Sequence, residues 1–172
     1  MSEIYLFHGK GGSPNGSVSV LEEALRPSFI DARFTRPLLR HHDADVLAED
    51  SLAALDELNI PQATVVIGVS LGGLIAARFQ EVVREDLTVI CVSAPTWADG
   101  VRVERKMTKR AAFYSSTDEV ILGRTSAWPS LAEAFEIARL THDTDRHAEL
   151  LARGISAYLQ GRDVNAAIQQ SL

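Results

Sequence analysis

Two short runs of β-branched and apolar residues limit the folds open to this chain more than any other feature. Residues 64–69 (TVVIGV) and 88–93 (TVICVS) show no alternation between polar and apolar positions. Strands of this kind are buried on both faces, because helices cover both sides of the parallel sheet to which they belong. The two runs therefore predict an α/β fold.

The rest of the chain alternates in the same way between strand and helix patterns. The other candidate strands are residues 3–8, 32–35, 111–115 and 135–140, and the helical patterns cover residues 18–25, 46–58, 71–84, 126–134 and 146–159. This order predicts a three-layer sandwich around a mainly parallel sheet of about six strands. No repeat or low-complexity linker divides the chain, so residues 1–172 are expected to form a single domain. Residues 94–109 are expected to form a loop or a short helix, and the pattern leaves open whether residues 163–172 are helical.

Charge argues against two classes of function. The 172-residue chain has a formal net charge of −6, whereas nucleic acids and anionic membranes are bound through basic surfaces. The one basic cluster is expected to be a solvated face; it comprises Arg102, Arg105, Lys106, Lys109 and Arg110, with Glu104 among them. Cys91 lies within an apolar run and is expected to be an unreactive core thiol.

The sequence shows no targeting or membrane segment. The first residues, MSEIYLFHG, contain neither the basic stretch nor the long apolar stretch of a signal peptide. No apolar stretch approaches the ~18–20 residues that cross a bilayer. We therefore expect a cytoplasmic protein that does not bind membranes.

A single serine stands where a buried strand is predicted to turn into a helix. Ser70 follows residues 64–69, and Gly68 and Gly72 flank it. In parallel sheets, functional groups gather beyond the carboxyl ends of the strands. Glycines on both sides allow the sharp turn that projects the hydroxyl from the sheet edge. Ser70 is therefore a candidate nucleophile; the alternative is a serine that caps the helix.

The segment GVSLGG around Ser70 resembles the nucleophile elbow, Gly-x-Ser-x-Gly, of the α/β-hydrolase family. A second segment, HGKGGSPNGS after the first strand, is similar to the family's turn that helps to form an oxyanion hole. The resemblance implies that the backbone N–H groups of Lys10 and Leu71 stabilise the oxyanion, with Gly11 as the alternative to Lys10. A phosphate-binding loop fits less well, because Lys10 lies between Gly9 and Gly11 and position 14 is proline.

The family order places an acid after the serine and a histidine after the acid. Asp118 lies just past the predicted strand 111–115 and is the expected acid. Asp99, which follows the preceding strand, is the alternative.

Two histidines follow the last predicted strand. His147 is the expected base, because the loop before it is long enough to carry the imidazole back over Ser70. His142 is the alternative, since it comes only two positions after the predicted strand 135–140.

The remaining histidines precede Ser70 and break the family order. His8 is expected to be a structural residue of its turn. His41 and His42 lie near Asp43 and Asp45, as in a metal-binding cluster. Adjacent side chains rarely converge on one ion, so a solvated loop is expected there and no metal site is predicted.

The resemblance implies a minimal α/β-hydrolase fold without a cap domain, similar to small bacterial esterases and thioesterases. It implies that Ser70, His147 and Asp118 cleave small or exposed esters or thioesters through an acyl-enzyme, without a cofactor. The alternative is an inactive hydrolase-fold protein that only binds a partner. The sequence leaves open the acyl specificity, the oligomeric state and whether Trp97 and Trp128 line the cleft.

Overall fold

A computed structural model describes residues 2–169, and a six-stranded sheet with only parallel pairings lies at its centre. In chain order the strands are β1 (Glu3–Phe7), β2 (Arg33–Thr35), β3 (Val65–Val69), β4 (Thr88–Val92), β5 (Trp97–Ala98), β6 (Val101–Arg102), β7 (Arg110–Tyr114) and β8 (Glu133–Glu136). The order across the sheet is β2-β1-β3-β4-β7-β8, and β5 and β6 form a separate hairpin.

Helices cover both faces of the sheet. They are α1 (Ser17–Leu25), α2 (Ala48–Ala53), α3 (Leu71–Val82), α4 (Trp128–Leu131), α5 (Ala148–Leu159) and α6 (Val164–Gln169). Helices α1, α5 and α6 share one hydrophobic cluster with the sheet, and α2, α3 and α4 share the other. The predicted three-layer α/β sandwich is therefore confirmed. None of the helices within residues 2–169 combines the length and apolar character needed to cross a bilayer.

The central strands explain why their sequence shows no alternation. Ile67 of β3 and Ile90 of β4 join the cluster beneath α1 and α5. Val66 and Val89, which point to the opposite face, join the cluster beneath α3. Both faces are dry, so apolar residues are favoured at every position.

The last strand ends earlier than the sequence predicts. A strand is predicted over residues 135–140, but β8 pairs with β7 only from Glu133 to Glu136. Ile137 and Leu140 are nevertheless buried, because a turn in which the Leu140 N–H donates to the Ile137 carbonyl (3.0 Å) folds onto the core. The apolar character of this segment belongs to that turn rather than to a strand.

Two predicted helices are shorter than their patterns suggest. Residues 46–58 divide into α2 and a 3₁₀ turn at Leu55–Leu58. Residues 126–134 contain only the single turn of α4, because Ala132 is already extended and leads into β8.

Residues 94–109 contain a hairpin rather than a loop or a short helix. Its strands β5 and β6 are antiparallel, and Asp99 and Gly100 form the turn with φ angles of 44° and 83°. An Asp–Gly pair suits such a turn, because both residues tolerate positive φ. No cap domain is present within residues 2–169.

The basic cluster is only partly a solvated face. Arg102, Arg105, Lys106 and Lys109 are exposed, as expected, but Arg110 is fully buried. The guanidinium of Arg110 makes five hydrogen bonds with buried or backbone acceptors, which are the side chains of Gln80 and Glu81 and the carbonyls of Ala77, Arg105 and Leu131. The expectation for Arg110 is wrong because a fully hydrogen-bonded, ion-paired arginine can be buried.

We predict that Arg110→Met lowers the free energy of unfolding by about 3–5 kcal/mol, because it leaves the buried Glu81 carboxylate without its Arg110 partner. Lys109→Met is the matched control at an exposed neighbouring position and should change the value by less than about 0.5 kcal/mol. Urea denaturation of the three proteins measures both effects. Equal stabilities of the two variants would contradict the prediction.

Candidate active site

Ser70 forms a strained turn between β3 and α3. Its φ and ψ are 54° and −122°, a conformation that residues with a side chain rarely adopt. The Ser70 N–H donates to the Val92 carbonyl (2.8 Å), which ties the turn to the neighbouring strand. The sheet thus holds the serine at the carboxyl edge, where the sequence predicts it.

The two glycines around Ser70 are required by close backbone contacts. A Cβ on Gly68 would lie 2.4 Å from the Gly72 carbonyl oxygen. A Cβ on Gly72 would lie 2.5 Å from the carbonyl oxygen of Phe7, at the end of β1. No side chain fits in either place without moving the backbone, so the interpretation of GVSLGG as a sharp strand–turn–helix is confirmed geometrically.

The structure brings Ser70 into hydrogen-bond contact with His142. The Ser70 Oγ lies 3.0 Å from His142 Nε2, and His142 Nδ1 lies 2.8 Å from Asp118 Oδ2. Asp118 is buried, and its second oxygen, Oδ1, accepts the Val120 N–H (3.0 Å). The imidazole is about one-quarter exposed, with a relative side-chain accessibility of 25%. A serine, a histidine and a carboxylate therefore form a continuous hydrogen-bonded chain.

The expectation that His147 lies over Ser70 is wrong. Because β8 ends at Glu136, residues 137–141 are available to carry His142 back over the sheet edge. A strand over residues 135–140 would leave only Thr141 between the end of the strand and His142. The geometric assignment of the histidine therefore changes from His147 to His142.

His147 instead supports the loop that carries His142. Its Nε2 lies 3.1 Å from the Thr141 N–H nitrogen and 2.9 Å from the Thr141 hydroxyl. Burial and the nearby Arg146 charge lower the pKa of His147, which favours the neutral ring that this contact needs. Thr141 precedes His142 directly, so the contact restrains the backbone next to His142.

The turn after β1 lies directly against the serine. A Cβ on Gly9 would lie 3.2 Å from the Ser70 Cβ and 3.9 Å from the Ser70 Oγ. The Lys10 N–H has no acceptor within residues 2–169. The Gly11 N–H, by contrast, donates to the His41 carbonyl (2.8 Å) and is not available as the alternative donor.

The second predicted donor lies at the start of α3. Leu71 is the first residue of this 12-residue helix, so its N–H has no intrahelical acceptor. The positive end of the helix dipole adds to the potential at this point. Among the described residues, the N–H groups of Lys10 and Leu71 thus have no hydrogen-bond acceptor, and both residues lie next to a residue that contacts or forms the serine turn.

Comparison with known families agrees with this geometry. The profile of the Alpha/beta hydrolase family matches residues 5–169. The chain belongs to the alpha/beta hydrolase family.

Solved structures show the same fold at low sequence identity. Est1E from Butyrivibrio proteoclasticus has a TM-score of 0.72 and 17% identity, over 93% of this chain and 87% of that chain. Alpha/beta hydrolase domain-containing protein 10 from mouse has a TM-score of 0.72 and 12% identity, over 92% and 90% of the two chains. A protein of the alpha/beta superfamily from Xanthomonas campestris pv. campestris has a TM-score of 0.71 and 18% identity, over 94% and 99%. A search of curated protein sequences finds no match.

A cleft of about 490 Å³ opens above the serine of this alpha/beta hydrolase. The residues lining it are His8, Gly9, Lys10, Gly11, Gly12, Ser13, Gly16, Ser17, Val18, Val69, Ser70, Val120, His142 and Thr144. Neither tryptophan is among them. Trp128 is buried in the core and donates to the Ala94 carbonyl (2.8 Å), whereas Trp97 is partly exposed and its ring contacts the guanidinium groups of Arg102 and Arg124.

Asp99, the alternative acid, is not part of the hydrogen-bonded chain formed by Ser70, His142 and Asp118. Asp99 lies in the hairpin turn, and its carboxylate is 3.7 Å from Lys10 Nζ. Both side chains are substantially exposed, so the ion pair contributes little to stability.

His41 is buried, contrary to the solvated loop that the sequence indicates. Its Nε2 lies 2.7 Å from the His8 carbonyl, and its Nδ1 lies 2.7 Å from the Ser51 hydroxyl. His42 is exposed, as expected. Within residues 2–169 no three His, Cys, Asp or Glu side chains form a group that could hold a metal ion.

Burial makes the stability of this hydrolase depend on pH. Desolvation, opposed in part by the His8 carbonyl, lowers the pKa of His41 from 6.5 to about 4. Desolvation also lowers the pKa of His8. Below pH 6.5 the unfolded chain takes up a proton that native His41 takes up only near pH 4. Stability is therefore full above about pH 6.5 and is lost as the pH falls through this window.

We predict that wild-type protein loses about 2 kcal/mol of unfolding free energy between pH 7 and pH 4.5 through His41 alone. His41→Leu should lose about 2 kcal/mol less over the same interval. Chemical denaturation at the two pH values measures both drops, and His42→Leu serves as the exposed control. If wild type and His41→Leu lose the same free energy, His41 is not the titrating group.

Proposed function

We propose that this alpha/beta hydrolase is a serine hydrolase that cleaves esters or thioesters through a covalent acyl-enzyme. The observation that supports this most directly is the hydrogen-bonded chain from Ser70 Oγ to His142 Nε2 (3.0 Å) and from His142 Nδ1 to Asp118 Oδ2 (2.8 Å). A serine hydroxyl becomes a strong nucleophile only when a neighbouring base takes its proton. In the proposed mechanism His142 is that base, and Asp118 is the carboxylate that orients it.

The carboxylate determines which tautomer of His142 is present. Asp118 accepts a hydrogen bond from Nδ1–H, so the neutral ring keeps its lone pair on Nε2, which faces Ser70. In the acylation step, Ser70 Oγ bonds to the substrate carbonyl carbon while its proton passes to Nε2. The resulting imidazolium is stabilised by the buried Asp118 carboxylate.

Two backbone donors complete the acylation step. The carbonyl oxygen becomes an oxyanion as the C–O bond forms, and the Lys10 and Leu71 N–H groups stabilise it. Collapse of this intermediate breaks the bond to the leaving alcohol or thiol, which takes the proton from His142 Nε2. Water then attacks the acyl-enzyme with the same histidine as base, and Ser70 regains its proton.

The cleft favours small or exposed acyl groups. The apolar side chains that line it are those of Val18, Val69 and Val120, and glycines and serines make up much of the rest. A volume of about 490 Å³ without a covering domain cannot enclose a long acyl chain. Acetyl and other short acyl esters are therefore the preferred substrates.

We predict that Ser70→Ala abolishes hydrolysis of p-nitrophenyl acetate and labelling by a fluorophosphonate probe, because both reactions need the Ser70 oxygen. The substitution removes one oxygen atom at the sheet edge and should leave the circular dichroism spectrum unchanged. Wild-type protein that neither hydrolyses esters nor labels would instead identify a binding protein with a hydrolase fold.

We further predict that His142→Gln lowers kcat by roughly 10³-fold or more, as loss of a triad member does in other serine hydrolases. His147→Gln is the matched control: it acts only through the loop and should lower kcat by less than about tenfold. Steady-state kinetics with p-nitrophenyl acetate compare the two variants. The reverse order of effects would show that His147 is the base.

A further inference from the structure

A pair of buried histidines, His8 and His41, lies beneath the proposed oxyanion turn and takes no part in the triad. Their ring centroids are 4.9 Å apart, and their relative accessibilities are 3% and 0%. Buried polar side chains need hydrogen-bond partners, and both rings have them. Two of these partners are the carbonyls of His8 and Gly9, just before Lys10, which suggests a role for the pair in shaping that turn.

The hydrogen bonds determine the proton positions on both rings. The His8 carbonyl only accepts, so His41 Nε2 carries a proton and its neutral Nδ1 accepts from the Ser51 hydroxyl. The Leu39 N–H donates to His8 Nε2 (2.9 Å), so the proton of His8 is on Nδ1, which donates to the Gly9 carbonyl (2.9 Å). Each ring is neutral and uses one donor and one acceptor.

Together these bonds hold three successive peptide groups. The first, between His8 and Gly9, accepts from His41 Nε2–H through its carbonyl (2.7 Å). The second, between Gly9 and Lys10, accepts from His8 Nδ1–H and from the Gly12 N–H (3.0 Å). The third, between Lys10 and Gly11, donates to the His41 carbonyl (2.8 Å).

The middle peptide group contains the proposed oxyanion donor. The chain has no cis peptide bond among the described residues, so the Gly9 carbonyl and the Lys10 N–H point in opposite directions. The two donors on the Gly9 carbonyl thus direct the Lys10 N–H away from them. His41 holds both flanking groups, one through its side chain and the other through its backbone.

We infer that His41, oriented by Ser51, is a positioning residue that fixes the Lys10 N–H for oxyanion stabilisation. This inference rests on the proposed serine hydrolase function. His41 touches no substrate atom; it acts through the His8 carbonyl. Preorganised donors gain their effect because they need no reorganisation when charge develops on the substrate.

The groups around His41 keep it neutral. Desolvation has the largest effect on the pKa of His41, and the nearby His8, His42 and Lys10 lower this pKa further. From α2 the only polar contact of the ring is the Ser51 hydroxyl, and no carboxylate within residues 2–169 hydrogen-bonds to the ring. A neutral ring can accept from Ser51 and donate to His8 at the same time.

The test compares His41→Leu with the wild-type protein on p-nitrophenyl acetate and on its thionoester, in which sulfur replaces the carbonyl oxygen. Sulfur is a poor hydrogen-bond acceptor, so the ratio of the oxygen-ester rate to the thionoester rate reports on the oxyanion donors. We expect kcat for the oxygen ester to fall roughly 10²-fold, the effect of a misplaced catalytic group of this kind. KM should change by less than about threefold, and the rate ratio should fall about tenfold.

Two further variants separate positioning from general destabilisation. His41→Gln keeps an amide donor with the reach to contact the His8 carbonyl, so it should recover most of the kcat and of the rate ratio. His42→Leu changes the exposed neighbouring histidine and should behave as wild type. If His41→Leu does not fold, Ser51→Ala is used as the test variant instead. It should lower both kcat and the ratio of the oxygen-ester rate to the thionoester rate about fivefold.

The outcomes distinguish this inference from the proposed function. An unchanged rate ratio in His41→Leu, or in Ser51→Ala where His41→Leu does not fold, overturns the positioning role even if kcat falls. Equal losses in His41→Gln and His41→Leu also overturn it. If the wild-type protein is inactive, the proposed function fails, and hydrogen–deuterium exchange over residues 8–12 decides the inference: faster exchange in His41→Leu but not in His42→Leu supports it, and equal exchange overturns it.

Discussion

Contact between two backbone turns is the constraint on which the rest of this structure depends. Gly72, in the first turn of α3, lies so close to the end of β1 that a Cβ there would be 2.5 Å from the Phe7 carbonyl oxygen and 2.6 Å from the His8 carbonyl oxygen. This approach holds the start of α3 against the turn that carries Lys10. Ser70, the Leu71 N–H and the turn that carries Lys10 are therefore packed against one another through the backbone, and sites held in this way are more accurate than sites on independent loops.

The same residue type has different roles because its surroundings differ. His41 is buried, surrounded by backbone groups and other bases, and its pKa is lowered to about 4, so it is neutral and suited to holding structure. His142 is partly open to the cleft, and its Nδ1 lies 2.8 Å from the buried carboxylate of Asp118. The surroundings of His41 thus oppose protonation of its ring, whereas the proposed mechanism relies on the contact between His142 and the Asp118 carboxylate.

The sequence predicted those parts of the fold and the site that depend on short segments of the chain. Three features could be predicted because each depends on a short stretch of sequence. They are the burial of β3 and β4 on both faces, the glycines around Ser70 and the position of Asp118 after β7. Which histidine contacts Ser70 depends on where β8 ends, and the pairing of β8 with β7 determines that end. The sequence does not reveal the end of the strand, because Ile137 beyond it is apolar and buried like a strand residue. The role of His41 depends on a contact with His8, 33 positions away, and no local pattern encodes it.

The absence of a covering domain within residues 2–169 connects these observations. A cap that closes over the substrate excludes water and strengthens every hydrogen bond to a developing oxyanion. The open cleft above Ser70 lacks that help, so water competes for the Lys10 and Leu71 N–H groups. Donors that are fixed in direction retain more of their advantage over water than donors that must first reorient. A turn restrained at three successive peptide groups from the protein interior therefore gives the proposed open site part of the preorganisation that a closing cap supplies.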